Sequence, residues 1–148
     1  MELRRLDASD REQVTALFLD VFTHEPWNDD WSDAAQLNAY LGDLTGQGYS
    51  LSMGYFDGSR LVAVSLGYIK HWYRGTKYIV DELFVARDMQ GCGIGTAFLE
   101  ALKAWLLRNG IVQVFLQTER TVPAYAFYLK NGFTELKDHV SFAKDLRI

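Results

Sequence analysis

Apolar positions along this 148-residue chain change their period several times, and each change marks an element. Val14, Leu17, Phe18, Val21 and Phe22 recur at steps of three and four, the stripe of an amphipathic helix. Asp7 to Ser9 offer its start signal, and it ends before Pro26. Leu37, Tyr40, Leu41 and Leu44 repeat the pattern behind Ser32, which reads as the cap of a second helix that Gly46 and Gly48 end. Residues 50–56 and 61–68 read as strands joined at Asp57-Gly58, a hairpin-turn dipeptide. The second can run on through Trp72 and Tyr73 to a turn at Arg74-Gly75. Residues 77–85 are dense in β-formers. Residues 93–108 are helical, with Ile94, Phe98, Leu99, Leu102, Trp105 and Leu106 on one side and a stop at Asn109-Gly110. A strand at 111–116, a helix at 121–130 and strands at 133–136 and 140–142 follow, and residues 3–6 supply the first strand. The order β-α-α-β-β-β-α-β-α-β-β predicts one α/β domain over residues 1–148, with a mixed, partly antiparallel central sheet flanked by helices.

Composition narrows the class. At 49% hydrophobic residues the chain can fill a core, and a domain this size buries roughly 68–70% of its unfolded surface without metal or disulfide support. Charged residues at 23% argue against disorder. The apolar runs are a handful of residues, too short for a membrane span. The first seven residues hold no apolar stretch of the kind a secretory signal needs. The single cysteine, Cys92, cannot form an internal disulfide, and one Cys with three scattered histidines makes no zinc site. A cytoplasmic, metal-free domain is the expectation.

A net charge of −4 has the wrong sign for a nucleic-acid binder. The charge is also uneven. Between Arg11 and Arg60 there are eight acids (Glu12, Asp20, Glu25, Asp29, Asp30, Asp33, Asp43 and Asp57) and no Lys or Arg. From Arg60 onward bases are in excess. Such blocks are usually solvated faces. They also suit a protein that holds an anion with one part and a cation with another.

The strongest chemical signal is the junction Val85-Ala86-Arg87-Asp88-Met89-Gln90-Gly91-Cys92-Gly93-Ile94-Gly95-Thr96, which runs strand, loop, three glycines in five residues, then helix. Glycines let backbone N–H groups converge, and a helix start has unpaired donors and the positive end of its dipole, so the segment suits a phosphate. Neither the dinucleotide-fold spacing nor a Walker loop fits. Gln90-x-x-Gly93-x-Gly95, with Val85 five residues upstream, resembles the acetyl-CoA motif of the GCN5-related N-acetyltransferase (GNAT) superfamily. Downstream, Thr121-Val122-Pro123-Ala124-Tyr125-Ala126-Phe127-Tyr128-Leu129-Lys130-Asn131-Gly132-Phe133 is similar to that family's second motif. Thr121 stands where Asn is usual; a Thr can still cap the helix, without the amide contact to cofactor.

The resemblance implies an enzyme that moves an acetyl group from acetyl-CoA directly to a primary amine. It assigns the pyrophosphate to Gln90, Gly91, Cys92, Gly93, Ile94, Gly95 and Thr96, with Cys92 contributing backbone rather than thiol. It lays the pantetheine arm along the strand edge at Leu83, Phe84 and Val85, where a backbone N–H near Val85 could polarise the thioester carbonyl. It makes Tyr128 the proton donor to the leaving sulfur. For the base, Asp81 and Glu82 are adjacent, so strand alternation turns at most one toward the cleft unless a bulge intervenes. Asp81 ranks slightly ahead, with Glu82 pointing away to brace loop backbone. By the same resemblance, Glu25, Trp27, Asp29, Asp30, Trp31, Trp72 and Tyr73 wall the acceptor pocket. Carboxylates and tryptophan faces suit a cationic amine, although Trp27 and Trp31 serve equally as packing anchors. A small polycation such as a polyamine or aminoglycoside is the favoured acceptor. A protein lysine or N-terminal amine is the alternative, and a non-catalytic acyl-CoA-binding sensor is the alternative of another class. No nucleic acid or membrane partner is expected, and strand edges near the C-terminus leave a homodimer open.

Overall fold

The computed structural model describes residues 1–147 and falls into two compact units, Met1–Gln117 and the residues from Thr118 on. In the first unit, β1 (Glu2–Arg5) leads through a short 3-10 turn at Ala8–Asp10 into α1 (Arg11–Phe22). Asp7 and Asp10 cap that turn reciprocally: Ser9 N–H donates to Asp7 Oδ1 and Asp7 N–H donates to Asp10 Oδ2, each at 2.9 Å. The buried Asp10 also takes two hydrogen bonds from Arg4, at 2.7 and 2.9 Å, which ties the strand to the helix start. This pairing holds the Asp10 carboxyl below its ordinary range. α2 (Ala34–Thr45) is capped by Asp33, whose Oδ1 accepts from the N–H groups of Ala35 and Gln36 at 3.0 and 3.2 Å. Ser32, the expected cap, instead donates its N–H to Asp30 Oδ1. A carboxylate one residue nearer the first turn takes the place of the hydroxyl.

Five strands form one sheet in the order β1-β2-β3-β4-β5, with β2 at Ser50–Asp57, β3 at Arg60–Trp72, β4 at Gly75–Val85 and β5 at Ile111–Leu116. All neighbours are antiparallel except β4 and β5, which are parallel and joined by α3 (Ile94–Arg108). One sheet face packs on α1 and α2 through Phe18, Phe22, Leu37, Leu41, Val64, Leu66 and Phe84. The other packs on α3 through Met53, Tyr78, Val80, Phe98, Leu102 and Leu106. Tyr78 is fully buried there, and its hydroxyl is satisfied by Ser65 Oγ and the Leu51 carbonyl, each at 2.9 Å.

One irregularity shapes β4. Leu66 of β3 pairs with Glu82, but the next residue, Gly67, pairs with Val80, so Asp81 is an extra residue. Val80 and Leu83 both pack on the α3 side. The residues between them, Asp81 and Glu82, therefore share the opposite side, as a bulge allows and a regular strand forbids. Gly67 makes room: a Cβ there would sit 2.0 Å from the Ile79 carbonyl oxygen and 3.0 Å from the Tyr78 ring.

In the second unit, α4 spans Pro123–Lys130, with Pro at the start and Val122 at its cap position. Thr121 lies outside the helix and does not cap it, because the helix begins two residues later than the pattern suggested. Tyr125 O–H donates to Glu135 Oε2 at 2.9 Å, and Arg120 Nε donates to Glu135 Oε1 at 3.1 Å. The expected strands at 133–136 and 140–142 are not formed. Their alternation is present, yet Leu136, Val140 and Phe142 are exposed. Alternation states which residues would share a face; it supplies no ladder partner, and a strand without one has little stability of its own.

Gly67→Ala should destabilise the chain. Its methyl meets backbone rather than a movable side chain, and overpacking of this kind costs about 1–3 kcal/mol. Thermal and urea melts would show a lowered midpoint, and a midpoint equal to wild type would mean that the bulge tolerates a side chain opposite it.

Candidate active site

The glycine loop begins where β4 ends. Ala86 N–H donates to the Val62 carbonyl at 2.8 Å, and a 3-10 turn at Arg87–Met89 follows. That turn is anchored on both sides. Arg87 pairs with Asp20 of α1 at 3.1 Å, and Asp88 pairs with Arg60 of β3 at 2.7 Å. Gln90 reaches back, its Nε2 donating to the Val85 carbonyl at 2.9 Å, while Cys92 Sγ donates to the Met89 carbonyl. Gly91 and Gly93 sit in the left-handed region, at φ of +78° and +84°. Gly93 is the cap residue of α3, and it makes no side-chain cap hydrogen bond to the helix start. The N–H groups of Ile94, Gly95 and Thr96 belong to the first turn, where a helix offers no internal acceptor. Gly91, Cys92 and Gly93 are exposed.

The sheet opens beside this loop. β4 pairs with β3 along its whole length, from Trp72 opposite Gly75 to Ala63 opposite Val85. Its ladder with β5 covers only Thr76 to Val80. The stretch 81–85 has no ladder partner on the β5 side, and the parting point coincides with the bulge. Phe84 is buried on the α1–α2 face, and Leu83 and Val85 pack on the α3 side, so this edge presents backbone. A strand edge without a ladder partner, running into a glycine-lined helix start, suits the pantetheine arm and diphosphate of acetyl-CoA.

The bulge brings the two carboxylates to one face. Tyr40 of α2 donates its hydroxyl to Glu82 Oε1 at 2.6 Å. Glu82 does not brace loop backbone, as expected from a regular strand; the extra residue turns it toward α2 instead. Burial raises the Glu82 carboxyl above its ordinary range, opposed by the Tyr40 hydrogen bond and reinforced by the charges of Asp81 and Asp29. Burial also raises Asp81. Tyr40 is pushed well above the ordinary phenol value by burial and then by Glu82, so it is a donor throughout the working pH range. Among the described residues none of Asp29, Asp81 and Glu82 is ion-paired with Lys or Arg.

The loop between α1 and α2 carries the other acceptor-side candidates. Trp27 packs on Phe22 with ring centroids 5.6 Å apart. Trp31 stacks on Tyr40 at 5.2 Å and 19°, with its edge to Phe18. Both are half-buried against the core, so each serves the packing role that the sequence left open. Asp29 N–H donates to the Phe22 carbonyl at 2.8 Å; Glu25, Asp29 and Asp30 are exposed. Trp72 and Tyr73 stand at the tip of the β3–β4 hairpin, where Lys77 Nζ lies 3.8 Å over the Trp72 ring and Arg74 lies over Tyr73. Those two faces already hold cations of the same chain. Thr121 and Tyr128 belong to the second unit, where Tyr128 packs on Phe127 and Phe133. Tyr40 is the functional-looking residue that sequence reasoning missed. Its place in an apolar helical stripe marked it as a core position only, and nothing local pointed to a partner 42 residues away.

Among the described residues there is no group of His, Cys, Asp and Glu that could hold a metal, and no helix long and apolar enough to cross a membrane.

The family model for the acetyltransferase (GNAT) family matches residues 11–133. No curated protein matches the chain. Among solved structures, the chain is similar to the aminoglycoside acetyltransferase meta-AAC0020 from an uncultured soil metagenomic sample, in complex with sisomicin (TM-score 0.75, 21% identity, covering 99% of this chain and 96% of that one). It is similar to the aminoglycoside 6'-N-acetyltransferase AAC(6')-IG of Acinetobacter haemolyticus (0.71, 16%, 99% and 100%). A third likeness is to AAC(6')-Iy in complex with a bisubstrate analog, CoA-S-monomethyl-acetylneamine (0.72, 15%, 97% and 97%). At these identities the structures establish the fold, and their acceptors are properties of those proteins. The matched family model, which takes in the glycine loop and runs on through α4, shows that the chain belongs to the GNAT family and is an acetyl-CoA-dependent N-acetyltransferase.

Proposed function

We propose that the acceptor is a small polycationic amine of the polyamine or aminoglycoside kind, acetylated by direct transfer. The observation that carries this reading is the cluster of Asp29, Asp81 and Glu82 around the Tyr40 hydroxyl, three carboxylates without a basic partner among the described residues. Opposite charge within reach favours a cationic ligand, and partial burial strengthens the attraction. The likeness to several aminoglycoside acetyltransferases is consistent with it.

Bound acetyl-CoA supplies an acetyl group activated as a thioester. The chain's own residues do the rest. Backbone donors of Gly91 to Thr96 hold the diphosphate, the Gln90 N–H being taken by the Arg87 carbonyl, and the edge at Leu83, Phe84 and Val85 aligns the pantetheine arm. A primary amine arrives protonated, with a pKa near ~10.4 for a lysine-like group. It must lose a proton before it can attack. Glu82, raised by burial and held by Tyr40, takes that proton, with Asp81 beside it to attract the ammonium. Tyr128 gives a proton to the departing sulfur, the role its place in the second motif implies.

Two measurements test this reading. The first is thiol release from saturating acetyl-CoA with polyamines, aminoglycosides and lysine peptides. A polycation should be the best acceptor. Its KM should rise from 0.1 to 1 M salt, where the Debye length falls from ~10 to ~3 Å. Asp29→Asn should raise KM at low salt and flatten that dependence. A neutral, anionic or peptide acceptor as the best substrate would contradict the proposal. The second is Tyr128→Phe, which should lower kcat by roughly 10²–10⁴-fold at unchanged acetyl-CoA affinity. Wild-type turnover would leave Tyr128 as a packing residue.

A further inference from the structure

The residue that links the aromatic loop to the carboxylates is Tyr40, and none of the roles above uses its hydroxyl for more than a contact. Its ring is fixed on two sides. Trp31 stacks on it at 5.2 Å, and Phe18 of α1 lies 6.1 Å away. Its hydroxyl reaches Glu82 Oε1 at 2.6 Å. Opposite Glu82 on β3 is the buried, apolar Leu66, which offers no polar contact. The charged and titratable groups around Glu82 are Asp81 on its own strand, Asp29 on the loop before α2, and Tyr40 on α2. Two of these three repel a second negative charge, so the phenol is the one group here that favours the ionised form of Glu82.

We propose that Tyr40 is a positioning residue for the transfer reaction: held by the Trp31 stack, its hydroxyl fixes the Glu82 carboxylate and keeps it ionised and ready to take the amine's proton. The phenol occupies Oε1, which leaves Oε2 as the oxygen that receives the proton. A hydrogen bond from a neutral donor to a carboxylate stabilises the charged form, and it lowers the proton affinity that burial and like charge raise. Tyr40 thereby offsets the conflict of a half-buried base beside two other acids. Trp31 acts through Tyr40, so the loop that faces the acceptor and the group that deprotonates it move as one piece. This inference rests on the reading of Glu82 as the proton acceptor, and the experiment separates the two.

The experiment measures kcat/KM against pH for wild type, Tyr40→Phe, Glu82→Gln and the double variant, at saturating acetyl-CoA with the best acceptor found. Phe keeps the ring and its stack on Trp31 and removes only the donor. Tyr40→Phe should move the acidic limb of the profile to higher pH. The loss should be on the order of ten-fold on the acid side and small at alkaline pH, where Glu82 is ionised regardless. In the Glu82→Gln background the same change should have no further effect, because a positioning residue has nothing left to position. An equal loss at every pH, or an equal loss on top of Glu82→Gln, would overturn the proposal and make Tyr40 a packing residue. A Glu82→Gln enzyme with the wild-type profile would overturn the reading of Glu82 itself. Circular dichroism and a thermal melt on each variant separate a lost function from a lost fold.

Discussion

A β-strand turns successive side chains to opposite faces, so two adjacent carboxylates cannot serve one site from a regular strand. β4 meets this constraint with one extra residue. At Asp81 the ladder with β3 slips by one, Asp81 and Glu82 come to the same face, and the ladder with β5 ends one residue earlier. The proposed acceptor chemistry and donor binding therefore share a single origin. The bulge gathers the acids on the α1–α2 side, and it stands where the strand edge opens beside the glycine loop. Gly67 permits it from the neighbouring strand, since any side chain there meets the Ile79 carbonyl.

The helical layer completes what the bulge begins. α2 is started by Asp33, and about two turns later it presents Tyr40 to Glu82 and to Trp31. The aromatic loop is pinned by Phe18 and Phe22, both buried, so its acids are carried on a packed support rather than a free segment. Arg87 and Arg60, the bases that anchor the turn before the glycine loop, are ion-paired with Asp20 and Asp88. In the proposed phosphate site, backbone donors and left-handed glycines therefore count for more than side-chain charge.

Much of this was legible in the chain. The glycine loop was read from its residues because a turn that must hold an anion with backbone needs glycine, and glycine is visible in sequence. The helical stripes and the strands of the first unit follow from apolar period. What was not legible depends on partners distant in sequence. A bulge has no composition of its own, so the shared face of Asp81 and Glu82 appeared only as a condition. Tyr40 looked like a core residue because its hydroxyl partner lies on β4. The cap of α2 fell on Asp33 rather than Ser32, since two candidate oxygens one residue apart carry the same local signal. The strands expected after Gly132 show the converse limit, in that alternation without a ladder partner does not make a strand.

If the edge at 81–85 receives acetyl-CoA as proposed, the extra residue in β4, rather than its carboxylate, is what opens it. Calorimetric titration of acetyl-CoA into a variant with Asp81 deleted, beside Asp81→Asn, tests it. The deletion restores an unbroken ladder with β3 and leaves Val80, Glu82 and Phe84 on their present faces, so the core is kept. Asp81→Asn should bind acetyl-CoA as wild type does, while the deletion should weaken binding by roughly ten-fold or more, about 1.4 kcal/mol. Equal affinity in a folded deletion variant would contradict the account.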